Sequence, residues 1–237
     1  MKALLYKEFK LAMHPMIYVF VCVFPLMILI PSYPIAVGFI YVVAAYPILF
    51  LGANKGQQSN DLLYSTLLPV RKKDIVLARI MTVAIMQFVF IAIMSLLYPL
   101  ALLINKNISP EVAEQIAGAT NAIGNNPGLG LNAYVSILAI AVVGFALADL
   151  IFFPIYYKNG KSIVMSTLFM IIGYVLYLGI FTIAIPYIPG CEGYISFFAG
   201  VSVWIQFIYL LVALIIYVGI HVLVYHISAK RLEHVDF

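Results

Sequence analysis

Six runs of mainly apolar residues constrain this chain more than any motif does. They span roughly Pro15–Pro31, Ile35–Ala53, Ile80–Ile104, Asn132–Tyr156, Ile163–Tyr187 and Phe197–Ile227. A helix that crosses the hydrocarbon core of a bilayer needs about 20 such residues, so each run reads as a membrane-spanning helix. Of 237 residues, 65% are hydrophobic and 9% charged, against about 25% charged in a soluble domain. The expected fold class is all-α: a polytopic membrane protein with six spans in a single domain over residues 1–237. Spans one and two are joined by a tight Ser32-Tyr33-Pro34 turn, because the residue before a proline is driven out of the helical region. The sixth run is long enough to tilt, break or begin outside the bilayer.

With six spans both termini fall on one side. That side receives Lys2, Lys7, Lys10, Lys55, Arg71, Lys72, Lys73, Arg79, Lys158, Lys161, Lys230 and Arg231, and the other receives Lys106. This asymmetry places both termini of the multi-pass chain in the cytoplasm. The net charge of +4 does not indicate nucleic acid, since the basic residues sit in short caps beside apolar runs. Cys22 falls mid-span and far from Cys191, so a disulfide framework is not expected.

The N-terminus does not read as a signal peptide, having no small-x-small cleavage site. On a helical wheel Leu5, Phe9, Ala12, Met13 and Met16 share one face and Lys7, Lys10 and His14 another, which predicts a short helix lying in the membrane interface. On the outer side, Asn105–Leu131 is a longer loop. Ser109-Pro110-Glu111 opens a surface helix that runs to about Ile123 and stops at Gly124-Asn125-Asn126-Pro127-Gly128. The stretch from Ile185 to Tyr194 reads either as a plain loop or as short re-entrant helices.

The largest segment suited to an aqueous partner is Asn54–Arg79, which carries five of the 13 Lys and Arg residues. Ser59-Asn60-Asp61 has N-cap chemistry, and Leu62-Leu63-Tyr64-Ser65-Thr66-Leu67-Leu68 makes about two helical turns before Pro69. Asp74 is expected to cap the helix that becomes span three. The result is a short helix parallel to the membrane, with Leu63, Leu67 and Leu68 fit for a groove on a soluble partner. Arg71, Lys72 and Lys73 face that partner's acidic groups or anionic lipid headgroups.

Catalytic patterns are weak. Gly160-Lys161-Ser162 resembles the end of a phosphate loop, but Ile155 stands where the first glycine belongs and the segment follows a membrane helix. No metal or cofactor site is predicted. His221 and His226 are expected to be ordinary interfacial residues near the cytoplasmic end of span six, and His14 and His234 complete the set. Asp149 is the one acid inside an apolar run, which marks it as a candidate intramembrane polar site. Two readings of it stay open: a polar contact in a transport path or between helices, or a protonated carboxyl satisfied by a neighbouring hydroxyl. Gln87 and Gln206 are expected to bond between helices.

Three segments carry a family resemblance: Lys7-Glu8-Phe9; Leu67-Leu68-Pro69-Val70-Arg71-Lys72-Lys73-Asp74-Ile75-Val76-Leu77-Ala78-Arg79; and Phe153-Pro154-Ile155-Tyr156-Tyr157-Lys158-Asn159-Gly160-Lys161. In these the chain resembles the small six-span permease subunits of type 2 ABC exporters (the ABC-2 family), in the branch that includes staphylococcal phenol-soluble modulin exporters. The resemblance implies two permeases, identical or related, seated on two ABC ATPase subunits that bind ATP and magnesium. It also implies a coupling helix between spans two and three, carried onto Asp61, Leu62, Leu63, Tyr64, Leu67, Leu68, Pro69, Arg71 and Lys72, and re-entrant helices near Ile185–Phe198. The chain would then export an amphipathic substrate without hydrolysing ATP itself. Two other classes are weighed beside it: a membrane sensor or scaffold that docks a cytoplasmic partner, and an intramembrane enzyme, for which Asp149 alone makes no catalytic cluster.

Overall fold

The computed structural model describes residues 2–12, 16–23, 25–26, 70–107, 134–159, 163–180, 188–189 and 201–234. Among them the secondary structure is helical, with no strand. The elements are α1 (Lys2–Lys7), a π-helical turn (Glu8–Ala12), α2 (Met16–Val23), α3 (Lys72–Asn107), α4 (Tyr134–Asn159), α5 (Ile163–Gly179) and α6 (Val203–Glu233). Three of these, α3, α4 and α6, are long and apolar enough to cross a membrane, and α5 is a shorter apolar helix. The protein is therefore a helical, membrane-embedded chain. Span two, the Ser32–Pro34 turn, the surface helix from Ser109 and the proposed re-entrant stretch lie outside the described residues, Ile188 and Pro189 apart.

The centre is α4. Of its most apolar stretch 71% is buried, against 44% of α3 and 28% of α6. Its sequence explains this position. Buried Ser136, Ala139, Ala141, Ala146 and Ala148 present little bulk, so neighbouring backbones approach closely, as small residues permit in membrane helices. Towards its C-terminus bulk returns as Phe152, Phe153, Tyr156 and Tyr157. Phe152 stacks on Tyr156 and Phe153 on Tyr157, each one helical turn apart.

Gly144 marks the closest approach of α5. A Cβ placed there would stand 2.7 Å from the Tyr174 ring and 3.0 Å from that of Tyr177. The Tyr177 hydroxyl donates to the Ile140 carbonyl at 2.8 Å, fixing α5 antiparallel to α4. On the opposite flank, Tyr134 donates to the Met94 carbonyl at 2.7 Å, and Phe90 meets Phe145 edge to face. These contacts set α3 antiparallel to α4 as well. The pairs Ser136–Gln206, Asp149–His221 and Pro154–Arg231 follow one another along α4 and α6, so these two helices run parallel.

The outer surface is apolar and the interior carries the polar groups, as a lipid solvent requires. On α6, Trp204, Leu211, Ile215, Val218 and Leu223 are exposed, while Gln206, Tyr217, His221 and Ser228 are buried. Two hydroxyls on α3 are satisfied locally: Thr82 donates to the Ala78 carbonyl and Ser95 to that of Ile91.

Several sequence boundaries move. α3 begins at Lys72 and runs 36 residues, about 54 Å at 1.5 Å per residue, which exceeds the roughly 30 Å hydrocarbon core. It also takes in Asn105–Asn107, assigned from sequence to the outer loop. Asp74 does not cap it. The Arg71 carbonyl accepts the Asp74 and Ile75 N–H groups at 2.9 and 3.4 Å, leaving Asp74 inside the first turn, where its charge favours the helix dipole. α6 begins at Val203, six residues after Phe197, and extends past Ile227 to Glu233. Apolarity located the central portion of each helix; the polar extensions continue the helix beyond it, in α3 past Pro99.

Candidate functional site

The bases of α3 and α6, the C-terminal end of α4 and the helix α1 meet at one end of the molecule, which gathers the basic residues. Here Glu8 and Arg79 form a buried, two-pronged ion pair. Arg79 Nε stands 2.5 Å from Glu8 Oε2, and Nη2 donates to Oε1 at 3.1 Å. The fork of a guanidinium matches a carboxylate in this way. Lys7 adds a longer contact to Glu8 at 3.8 Å. At the very base of α3, Lys73 pairs with Glu233 of α6 at 3.2 Å, half exposed. Arg231 of α6 donates to the Pro154 carbonyl of α4 at 2.6 Å. One end thus binds α1, α3, α4 and α6 together through charge.

Glu8 takes its place because it lies one helical turn after Leu4, and both are buried, while Leu5 and Phe9, which share a face on the helical wheel, are half-buried. The sequence assigns Glu8 no pairing role. α1 is more than an interfacial helix: it is ionically fixed to α3. Tyr18 of α2 strengthens the junction by donating to the Phe9 carbonyl at 2.7 Å, and Lys10 lies exposed against Tyr6.

A second polar cluster lies deep between α3, α4 and α6. Asp149 is fully buried, and its Oδ2 stands 2.9 Å from Nε2 of His221. The His221 Nδ1 lies 2.8 Å from the Tyr217 carbonyl. A carbonyl only accepts, so Nδ1 carries a proton and donates it. One turn above, the Tyr217 hydroxyl donates to Gln87 Oε1 of α3 at 2.5 Å, and the Tyr217 and His221 rings lie 4.0 Å apart. At the far end of the same face, Gln206 Oε1 accepts the Ser136 N–H at 3.4 Å. Both glutamines therefore bond between helices, as the sequence suggests.

Asp149 has His221 as a close partner through Oδ2. His221 is buried between the helices, and α6 continues twelve residues beyond it to Glu233, about 18 Å along the helix. His226, five positions on, is exposed, in keeping with a different helix face. A signal for His221 was present in the sequence. Gln206, Leu210, Ala213, Tyr217, His221, Val224 and Ser228 are all buried, and their spacing of three or four residues places the polar members on one stripe.

Of the residues assigned to partner docking, Asp61, Leu62, Leu63, Tyr64, Leu67, Leu68 and Pro69 lie outside the described residues. Arg71 is exposed at the entry to α3, and Lys72 is the first helical residue. Cys22 is a free, exposed thiol. Among the described residues no group of three or more His, Cys, Asp or Glu side chains is placed to hold a metal ion. In comparisons with known proteins, no family model, curated sequence or solved structure matches this chain.

Proposed function

We propose that the chain is the six-span permease subunit of an ATP-driven exporter of the ABC-2 type, residing in a bacterial inner membrane with both termini cytoplasmic. It works as one of two permeases, identical or related, on a pair of ATPase subunits that bind and hydrolyse ATP. The observation that carries this reading is the construction of α3. It starts immediately after the basic docking segment, runs unbroken from Lys72 to Asn107, and is held at its base by Glu8–Arg79 and Lys73–Glu233. A force applied to a partner-docking helix at Asp61–Arg71 enters a long helix that is already tied to the N-terminal segment and α6. From α6 it passes to α4 through their parallel register.

The placement of polarity favours an amphipathic cargo, such as a peptide, a lipid-like molecule or a hydrophobic drug. Within the apolar helices, Asp149 turns to His221 and Gln87 to Tyr217, while the outward faces are aliphatic and aromatic. Such surfaces receive molecules already dissolved in the membrane better than ions or sugars.

Co-expression with a candidate ATPase tests the proposal. The ATPase is expected to co-purify with the wild-type chain and to be lost from Leu67→Asp and Arg71→Glu while the permease stays folded. If no ATPase is retained by the wild type, or if both variants retain it fully, the docking segment is a topological loop and a sensor or scaffold replaces the exporter.

A further inference from the structure

The outward face of α6 changes character once along its length. From Val203 to Leu223 its exposed side chains are aliphatic or aromatic. That stretch is about 30 Å at 1.5 Å per residue, as tall as the hydrocarbon core of a bilayer. Beyond Leu223 the exposed residues are His226, Lys230, Glu233 and His234. On α3 the exposed large apolar residues run from Met81 to Leu103, about 33 Å. The Lys73–Glu233 bridge sets the two apolar belts in register: Met81 is eight residues from Lys73 and Leu223 ten from Glu233, about 12 and 15 Å. Both belts thus end at nearly one level, which in a membrane-embedded chain is the edge of the hydrocarbon.

His226 lies three residues past that edge and Lys230 seven, about 4.5 and 10.5 Å, against a headgroup layer about 5–8 Å deep. The Cα–Cβ bonds of a helix tilt towards its N-terminus, here towards the apolar belt, and a lysine stem carries its ammonium further that way. With 3.6 residues per turn, Ile208, Ile215, Gly219, Val222 and Lys230 all fall within about 40° of His226 around the helix axis. The face is therefore one continuous strip, apolar along its length and basic at its end. Gly219 indents it. A Cβ there would meet nothing within 4 Å, while Ile215 and Val222 on either side stand 63% and 53% exposed. The acid at the foot of the strip, Glu233, pairs with Lys73, and among the described residues no carboxylate pairs with Lys230. Tyr225 packs beside His226, and the Lys230 carbonyl lies 2.7 Å from His234 Nδ1.

We infer that this strip of α6 is a binding site for one anionic phospholipid, with the phosphate at His226 and Lys230 and an acyl chain seated along Gly219 between Ile215 and Val222. Opposite charge holds the headgroup, and burial of aliphatic surface in the indentation holds the chain. A soluble acidic partner would use the basic end of the strip and leave its apolar length uncovered; a lipid matches both. The inference rests on the chain being embedded in a membrane and is independent of the exporter reading.

The test is a lipid titration read at the site itself. The chain has one tryptophan, Trp204, so Leu223→Trp in a Trp204→Phe background places a lone indole one turn from His226. Brominated phosphatidylglycerol and brominated phosphatidylcholine, which quench a nearby indole, are titrated separately into the full chain in detergent. Phosphatidylglycerol is expected to bind about fivefold more tightly, the effect of about one lysine charge near anionic lipid. Adding His226→Gln and Lys230→Gln, both at exposed positions, should bring the two affinities together, while Lys230→Arg should keep them apart. Gly219→Leu fills the indentation and should weaken both lipids alike, which a site for free phosphate would not show. Equal affinities in the unsubstituted site, a preference that survives His226→Gln/Lys230→Gln, or phosphatidylglycerol binding indifferent to Gly219→Leu would each overturn the proposal. So would a pair of glutamines that leaves lipid binding intact and instead releases a co-purifying soluble partner.

Discussion

The two charged regions of this molecule use the same chemistry to different ends. At the basic end, Glu8–Arg79 and Lys73–Glu233 join helices. Arg79 and Glu8 are 12% and 3% exposed, and Lys73 and Glu233 are 54% and 44% exposed. Between α4 and α6, Asp149 and His221 are 0% and 10% exposed. Glu8–Arg79 is thus nearly as sealed as Asp149–His221, whereas Lys73–Glu233 is open to solvent and can part and find other partners. Exposure, more than charge, sets how firmly a pair holds its helices.

The largest effect expected from breaking this contrast is at the sealed site. His221→Leu takes the imidazole from Asp149, and Asp149→Leu takes the carboxyl from His221; each should lower stability by about 3–5 kcal/mol, the usual cost of breaking a buried pair. Replacing both together should recover much of the loss, because no uncompensated charge then remains. Denaturant unfolding in detergent measures all three, and additive losses in the double variant would show that the two residues do not act as a pair.

Glu8→Ala should cost about 1.5–3 kcal/mol, the worth of hydrogen bonds to a charged group. Its more specific sign is detachment of α1, read as faster proteolysis within residues 2–12. A double-mutant cycle with Arg79→Ala isolates the pair. Comparable in size, Gly144→Val should destabilise the α4–α5 contact by about 1–3 kcal/mol through overpacking against the Tyr174 ring, while Gly219→Ala, where a Cβ meets nothing within 4 Å, serves as the neutral control. Smallest is Lys73→Ala at the exposed pair, expected within about 1 kcal/mol. A loss there as large as that at Asp149 would erase the distinction between the two regions.

Much of this division was legible in the sequence, and the misses have physical causes. Apolar runs located α3, α4 and α6 because lipid imposes length and composition on a spanning helix. The isolated acid in Gly144-Phe145-Ala146-Leu147-Ala148-Asp149 announced itself, since an intramembrane carboxylate needs a partner. Its partner was not announced in the same way. His221 was read by its nearness to a run's end, when its shared face with Gln206 and Tyr217 carried the information. Glu8 was hidden for a related reason: flanked by Lys7 and Lys10, it reads as part of a solvated helix until tertiary packing brings Arg79 to it from 71 residues away. Periodicity tells which residues share a face, but pairing between distant segments is decided by how the helices pack.

The central claim is that the segment before α3 receives a partner's force and that α3 carries it inward. The most direct measurement is ATP turnover by vesicles holding the chain together with its candidate ATPase, compared with vesicles holding Leu67→Asp in its place. The account predicts membrane-bound ATPase activity that depends on the wild-type chain and is lost with Leu67→Asp, while Asp149→Asn leaves ATPase binding intact. Equal, chain-independent turnover in wild-type and Leu67→Asp vesicles would contradict it.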